Sequence, residues 1–191
     1  MIHDVASHRT LISYSQSELS ARIVWSVIRF AFLLSPRMLY GWRNFLLRCC
    51  GAEIGTGVRI YPSVEVFAPW KLRIADQVTV GPHVRIYSVG EITIGPRTMV
   101  SQSVHLCAGS HDHQDATLPL LRLPIEVGSD VWVCSDAFVG PGVRLGDSCV
   151  VGARSAVFSD IAEGQVCGGN PAKILKARHS GRRLESSRIA A

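Results

Sequence analysis

The sequence has 191 residues, of which 47% are hydrophobic and only 18% are charged, with 17 glycines and a formal net charge of +5. This length predicts one domain, and this composition favours a turn-rich β fold over a helical bundle. The sequence contains neither zinc-finger spacing nor basic patches interleaved with aromatic residues, which argues against a nucleic-acid partner. The six cysteines form no CxxC pair, so we expect neither a disulfide framework nor a zinc ribbon, and a reducing, cytoplasmic location is favoured.

The N-terminal 50 residues predict a tail followed by two helices. Residues 1–19 are polar and patternless, so a flexible tail without a signal peptide is expected. Residues 20–50 form the helical segment, and its first helix, read as Ser17 to Leu34, is apolar almost all round but lacks an uninterrupted run long enough to span a bilayer. We predict that this helix packs on the protein body. The alternative, peripheral contact with the inner membrane face through this helix, stays open.

A second helix is predicted over Pro36–Cys50, with Gly51 in the place of a C-cap glycine. The apolar side chains of this helix recur at helical spacing and share one face: Met38, Leu39, Trp42, Phe45 and Leu46. Core packing of that face is the expected outcome.

From Ile54 the chain falls into units of six residues, such as IADQVT, VGPHVR and VGSDVW. The first residue of each unit is Ile, Leu or Val, the second is often Gly, and the fifth is usually small or β-branched. An amphipathic helix does not tolerate this much Gly and Pro, whereas a solenoid of short strands does. Three units close one triangular coil, so the pattern predicts a parallel β-helix over residues 51–168.

Two stretches interrupt the six-residue period. Pro69-Trp70-Lys71 adds a small bulge, and residues 108–126 form a long loop that opens with GSHDHQD. An excursion of this length in a compact domain is usually functional or disordered. Histidine is suited to acid–base chemistry near neutral pH, so His111 at the mouth of the loop is the candidate general base. For His113 and Asp115, a solvated loop surface is favoured over acceptor binding.

The repeat, together with GSHD, WVCSDAFVGPGV, VVGARSAV and GGNPAK, resembles the hexapeptide-repeat acyltransferases, and within them the maltose and galactoside O-acetyltransferase group. The lead-in SPRMLYGWRNFLLRCCGAEIG is similar to the colanic-acid-biosynthesis acetyltransferases, which modify exopolysaccharide sugars. This resemblance covers about residues 35–178. It implies an all-β fold, a left-handed parallel β-helix with N-terminal helices and a short C-terminal helix or tail.

The resemblance also implies an activity, an acetyl-CoA-dependent O-acetyltransferase that acts on a sugar hydroxyl in exopolysaccharide biosynthesis. Acetyl-CoA is then the co-substrate, the acceptor is a sugar or oligosaccharide, lipid-linked ones included, and the enzyme is a homotrimer with active sites between neighbouring prisms. His111 matches the family's catalytic histidine, which supports direct transfer without a nucleophilic residue, while Asp112 would orient its ring or hold the loop. No counterpart of the family's sugar-binding Asn is found, so the acceptor is not identified.

By the same motif matching, the resemblance implies a set of acetyl-CoA contacts. Ser135 corresponds to a backbone contact near the thioester, and Trp132 lies three positions earlier. Ala153 matches a backbone contact to the pantetheine arm. Lys173 and Lys176, which belong to the basic C-terminal segment 169–191, match residues near the CoA phosphates.

Two other functions remain as alternatives. A zinc enzyme of the γ-carbonic-anhydrase type would need converging imidazoles, for which four histidines are available in number: His83, His105, His111 and His113. Their spacing does not match that family, so no metal ligand is predicted, and His83 and His105 are expected on the surface or at a subunit interface. The second alternative is a non-catalytic trimeric scaffold at a membrane-bound polysaccharide assembly complex, suggested by the apolar first helix.

Overall fold

The computed structural model describes residues 14–178. Most of the predicted N-terminal tail and the last part of the basic C-terminal segment lie outside these residues. The described chain comprises two helices followed by a parallel β-helix of about six coils, which confirms the predicted fold class.

Three sheets form the faces of the β-helix, and successive coils add one strand to each. The first sheet contains β1 (Glu53–Ile54), β4 (Leu72–Ile74), β7 (Ile92–Ile94), β12 (Ile125–Val127) and β15 (Arg144–Leu145). The second contains β2 (Arg59–Ile60), β5 (Thr79–Val80), β8 (Met99–Val100), β13 (Trp132–Val133), β16 (Val150–Val151), β18 (Gln165–Gly168) and β19 (Lys173–Ala177). The third contains β3 (Glu65–Val66), β6 (Arg85–Tyr87), β9 (His105–Cys107), β14 (Phe138–Val139) and β17 (Ala156–Val157).

The first and fifth residues of the repeat units fill the interior of the coils. In the unit IADQVT, for example, Ile74 is 2% exposed and Val78 is fully buried. The parallel register stacks equivalent residues on one another, since Ile74 lies between Ile54 and Ile94 in neighbouring strands. The core is therefore a set of aliphatic columns that run along the solenoid.

The corners of the coils depend on two different positions of the repeat. The second-place glycines allow coils to approach closely: a Cβ on Gly95 would lie 2.6 Å from backbone atoms of Gly128 in the next coil. Positive φ occurs instead at the fourth place, with values of 57 to 59° at eight non-glycine residues: Gln77, His83, Arg97, Ser103, Asp130, Asp136, Ser148 and Arg154. This role of the fourth place was not predicted from the sequence.

The first helix, α1 (Gln16–Leu33), begins one residue before its predicted start. Ser15 caps it, and Glu18 completes a capping box with the Ser15 backbone. One side of α1 packs on the β-helix through the buried rings of Trp25 and Phe32, and the Trp25 indole nitrogen donates to the Val66 carbonyl at 2.9 Å. The predicted packing of this helix on the protein body is confirmed for that side.

The second helix, α2 (Tyr40–Cys49), begins four residues after and ends one residue before the predicted Pro36–Cys50. Gly51 follows it with a φ of +88°, as expected for a C-cap glycine. The predicted core packing of its apolar face holds for Leu46, which is buried, but is wrong for Trp42 (44% exposed) and Phe45 (53% exposed). The helix is rotated so that Arg43 and Leu47, which are both fully buried, face the first coil instead.

Arg43 connects α2 to the first coil and to the turn between the helices. Its guanidinium donates to the carbonyl of Ile60 at 2.6 Å and to the Ser35 hydroxyl at 2.8 Å. It also donates to the carbonyls of Pro36 and Arg37. Burial lowers the pKa of Arg43, and the four acceptors compensate the loss of water. A charged residue therefore takes the core position that the aromatic residues were expected to fill.

The C-terminal segment also differs from the expectation of a helix or tail. Its described part forms β19, which pairs antiparallel with β18. The last coil leaves the edge of β18 open, and a returning strand satisfies those backbone groups more completely than a helix would.

Candidate active site

The long loop leaves the solenoid after β9 and returns at β12, so it spans residues 108–124 and ends two residues earlier than predicted. Two short antiparallel strands, β10 (Ser110–His111) and β11 (Leu120–Leu121), form its stem. His111 lies at the end of this stem with an exposed side chain. Its Nδ1 atom lies 2.8 Å from the carbonyl oxygen of Leu118.

This contact determines the tautomer of the His111 ring. A carbonyl oxygen only accepts, so Nδ1 must carry the proton and donate it to Leu118. In the neutral ring, Nε2 is then the acceptor nitrogen. The imidazole is thus oriented by a backbone group and can take a proton at Nε2.

A turn in the loop presents the Leu118 carbonyl to the ring. The Asp115 carboxylate accepts from the backbone N–H of Thr117 at 2.8 Å and from its hydroxyl at 2.7 Å. These hydrogen bonds lower the pKa of Asp115, so its carboxylate form is favoured. The backbone N–H of Leu118 closes the turn on the Asp115 carbonyl at 3.0 Å. Asp115 is therefore a structural residue of the loop.

Asp112 also stabilises the loop. Its carboxylate accepts from the Gln114 N–H at 2.9 Å, and its own N–H donates to the Pro119 carbonyl. Of the two roles considered for Asp112, these contacts favour holding the loop.

The base of the loop is held by the first turn of α1. Glu18 lies 3.2 Å from both the Arg122 guanidinium and the Lys71 ammonium, as measured between its Oε1 and their nitrogens. Burial raises the pKa of Glu18, but the hydrogen bond and charge of Lys71 and the charge of Arg122 outweigh it, so the pKa lies below its ordinary value. The loop, the bulge in the coil and α1 thus share one carboxylate.

A groove of about 430 Å³ lies beside the loop, between α1 and the outer face of the third sheet. It is lined by polar, aromatic and aliphatic side chains, among them Arg29, Glu65, Phe67, Arg85, Tyr87 and His105. Tyr87 connects the groove to the loop, since a Cβ on Gly109 would lie 3.1 Å from its ring.

This groove was not predicted from the sequence. Glu65, Arg85 and His105 are the sixth residues of successive units, and they are paired in register across the third sheet. Burial and the charge of Arg85 lower the pKa of His105. The polar residues at the sixth place of these units were the sequence signal for the groove. That they form one column, and that α1 lies beside it, is apparent only in the folded structure.

The residues matched to acetyl-CoA contacts lie on the second sheet and at the corner that follows it. Trp132 in β13 is 46% exposed, and its indole donates to the Ser101 hydroxyl at 3.0 Å. Ser135 follows β13, and its carbonyl accepts from Arg154, the neighbour of exposed Ala153 in the next coil, at 2.9 Å.

Lys173 and Lys176 are exposed on β19, at the edge of the same second sheet. Lys176 pairs with Val166 of β18, and Val166 pairs with Val150 of β16, the register partner of Trp132. Trp132 and Lys176 are thus three strand spacings apart, or about 14 Å. The structure brings these matched residues to one face of the prism.

The structure does not bring His111 to that same face. Its loop leaves the corner between the third and first sheets, whereas Ser135 and Ala153 lie at the corner between the second and third. One face of six residues, at most about 20 Å long, separates the two corners. Within one chain, the candidate base and the candidate acetyl-CoA contacts therefore occupy different edges.

Two further findings bear on the alternatives. Within residues 14–178, no three His, Cys, Asp or Glu side chains lie close enough to bind one metal ion. Neither α1 nor α2 meets the length and hydropathy that crossing a bilayer requires.

Comparisons with known proteins complete the description. The chain is 46% identical over 160 residues to WcaF of Escherichia coli strain K12, a protein assigned as a colanic acid biosynthesis acetyltransferase, and the match covers 84% of this chain and 88% of WcaF. It is 29% identical over 137 residues to the galactoside O-acetyltransferase of the same organism, covering 70% of this chain and 68% of that protein.

A crystal structure of a hexapeptide-repeat acetyltransferase from Vibrio cholerae, complexed with acetyl-CoA, superposes with a TM-score of 0.80. The superposition covers 87% of this chain and 91% of that chain. The two sequences are 23% identical, so this likeness bears on the fold. No protein-family model matches the chain.

Proposed function

Because the chain belongs to the hexapeptide-repeat acetyltransferase family, we propose that it transfers the acetyl group of acetyl-CoA to a sugar hydroxyl, with His111 as the general base. The observation that carries this proposal is the orientation of the His111 ring by the Leu118 carbonyl at 2.8 Å, which makes Nε2 the proton acceptor. The acetyl-CoA complex of the Vibrio cholerae protein supports the donor.

The reaction needs one proton transfer and one acyl transfer. His111 Nε2 takes the proton of the acceptor hydroxyl while the oxygen attacks the thioester carbonyl carbon. The C–S bond then breaks, the acetyl group stays on the oxygen, and the thiol of CoA receives the proton held by His111. His111 returns to its initial state, so no covalent enzyme intermediate is required. The chain contributes a base and positioning of the reactants.

The acceptor is proposed to lie in the groove beside the loop. Tyr87 offers an aromatic surface for a sugar ring, while Glu65 and Arg85 offer an acceptor and donors for its hydroxyls. Gly109 packs against Tyr87 two residues before His111, which keeps the groove adjacent to the base. The names of WcaF and the galactoside enzyme support a saccharide acceptor, with exopolysaccharide biosynthesis as the setting.

The separation of the two candidate half-sites supports a homotrimer. His111 and the corner that carries Ser135 and Ala153 lie on different edges of one prism. A neighbouring copy can bring its Ser135 corner against the His111 loop, which forms one complete site at each interface. Three copies related by a closed rotation would use the same contact three times.

An acetyl-CoA consumption screen tests this function. Purified chain is assayed with mono- and oligosaccharides, lipid-linked ones included, and the product is analysed for an O-acetyl ester. At least one saccharide is expected to support turnover. Binding of acetyl-CoA without turnover on any acceptor would contradict the enzymatic assignment and leave the trimeric scaffold.

A further inference from the structure

The outward side of the two N-terminal helices is unusually apolar. Among residues 14–178, eleven of the eighteen exposed large hydrophobic side chains lie between Leu19 and Phe45. A stable soluble surface does not usually concentrate such side chains in one segment. This surface was not explained by the packing of the helices or by the proposed reaction.

On α1 and just beyond it, the exposed residues follow helical spacing. Ile23, Val27 and Phe30 are each 68% exposed, and Leu34 is 83% exposed. Residues three or four apart share one side of a helix, and this side is opposite to the one that buries Trp25 and Phe32. The outward side of α1 is therefore as apolar as the side that packs on the solenoid.

Helix α2 extends this surface. The rings of Trp42 and Phe45 stack with centroids 5.9 Å apart at an angle of 27°, and both are exposed. The Trp42 indole nitrogen lies 3.4 Å from the carbonyl of Ala31 in α1 and donates to it. The two helices thus form one continuous surface, here called the outer apolar face: Ile23, Val27, Phe30, Leu34, Trp42 and Phe45.

The charge around the outer apolar face selects its occupant. Residues 14–51 have a formal charge of +4, with five arginines, no lysine and Glu18 as the only acidic residue. Arg43 is buried, whereas Arg29, Arg37 and Arg48 are exposed. A second copy docked through this face would bring two segments of the same sign together. An anionic lipid surface has the complementary charge, and apolar helices flanked by arginine bind at the headgroup boundary of such surfaces. Tryptophan is also enriched at that boundary.

We propose that the outer apolar face docks onto an anionic membrane surface, with α1 and α2 lying in the plane of the interface. A surface-lying helix needs no spanning length, in agreement with the dimensions of α1. Resting on the proposed function, this orientation has a consequence for the substrate. Glu18 at the start of α1 contacts Arg122 at the base of the active-site loop, so the loop is held near the surface where a lipid-linked saccharide acceptor is presented.

Vesicle flotation of the full chain tests the docking, without acetyl-CoA or acceptor. The protein is mixed with vesicles of phosphatidylcholine alone, or with about 30% phosphatidylglycerol. We expect flotation with the anionic vesicles only. The double variant Val27→Glu/Phe30→Glu should lower the bound fraction at least about tenfold, since it places two negative charges on the face. The control Phe158→Glu changes a residue of similar exposure (61%) on the β-helix and should float like the unchanged chain.

Three results would overturn the docking. The first is no flotation of the unchanged chain with anionic vesicles, and the second is equal flotation of the double variant. The third is a smaller assembly for the double variant in analytical ultracentrifugation, which would identify the face as an interface between copies. Turnover with a soluble saccharide separates this proposal from the proposed function: a chain that acetylates but does not float refutes only the docking.

Discussion

The Leu118 carbonyl oxygen and the Nδ1 atom of His111 are 2.8 Å apart, and this pair defines which ring nitrogen can act as a base. The proposal predicts that His111→Ala lowers kcat by at least about 100-fold, because the alcohol loses its proton acceptor. Steady-state kinetics and calorimetric titration with CoA measure the effect, and CoA affinity should be retained. His113→Ala is the matched control, since His113 is an exposed histidine of the same loop, and its rate should stay within a few-fold of the unchanged enzyme. Equal rates for the two variants would remove His111 from the base role.

Glu18 is expected to position the active-site loop through Arg122. In Glu18→Gln the partly buried ion pairs with Arg122 and Lys71 are lost, and an ion pair near the surface contributes up to about 1 kcal/mol. We expect faster amide exchange in residues 108–124 and a KM for the acceptor raised up to about fivefold, with kcat and CoA affinity close to unchanged. Glu53→Gln removes a more exposed ion pair with Arg73, far from the loop, and should change neither quantity. A fall in kcat without a change in loop exchange would contradict the positioning role.

The lowered pKa of Glu18 gives this contact a pH dependence of known sign. A carboxylate with a depressed folded-state pKa stabilises the folded arrangement above its unfolded pKa and loses that contribution as pH falls through the folded value. Amide exchange of the loop should therefore accelerate below about pH 4.5, measured relative to the core strands. Glu18→Gln should lack this component, and an identical acid profile for both chains would refute it.

Removal of two lysines on β19 should weaken acetyl-CoA binding rather than catalysis. Lys173→Ala/Lys176→Ala removes two exposed charges that are proposed to pair with the CoA phosphates, which corresponds to about a tenfold increase in Kd. The loss should shrink at high salt because exposed pairs are screened. Arg73→Ala/Arg144→Ala is a control with the same charge change on the first sheet. An unchanged Kd for the lysine variant would exclude β19 from the donor site.

The buried thiol of Cys149 should make the protein sensitive to alkaline pH. Burial, together with the nearby Cys167, raises the pKa of Cys149 to about 12 from an ordinary 9.0. The unfolded chain ionises this thiol first, so above pH 9 the free energy of unfolding should fall by about 1.4 kcal/mol per pH unit. Urea unfolding at pH 8 and pH 10 measures this.

Cys149→Val should lose that part of the slope, because valine occupies the same fifth place in neighbouring units, as at Val131 and Val143. Cys49→Val, at an exposed thiol, is the control and should retain it. Slopes that agree between the unchanged chain and Cys149→Val would show that this thiol ionises alike in both states.

The six-residue period was sufficient to predict the solenoid because it reports directly on which side chains face inward. The packing of the helices was harder to predict. Trp42 and Phe45 have the spacing of core residues, but spacing alone does not say which side of α2 faces the body. Arg43 was not expected in the core because it is charged. The start of α1, by contrast, was predicted to within one residue, because helix starts depend on local sequence.

The candidate site could be predicted only in part for a similar reason. His111 was identified by motif and by its position at the loop. The Leu118 carbonyl could not be identified, because any residue type can supply a backbone oxygen, and its placement depends on the Asp115 turn. The groove at Tyr87 could not be predicted, because it is formed by α1 and by several coils that are distant from one another in sequence.

The loop of residues 108–124 has a consequence for how this enzyme can evolve. The loop lies between β9 and β12 in the chain, but it does not disturb the first sheet. Ile92 of β7 pairs directly with Ile125 of β12, as in an uninterrupted solenoid. Growth, shortening or exchange of the loop therefore leaves the stacking of the solenoid intact. If the loop contacts the acceptor as proposed, selection can change acceptor preference while the scaffold is inherited unchanged.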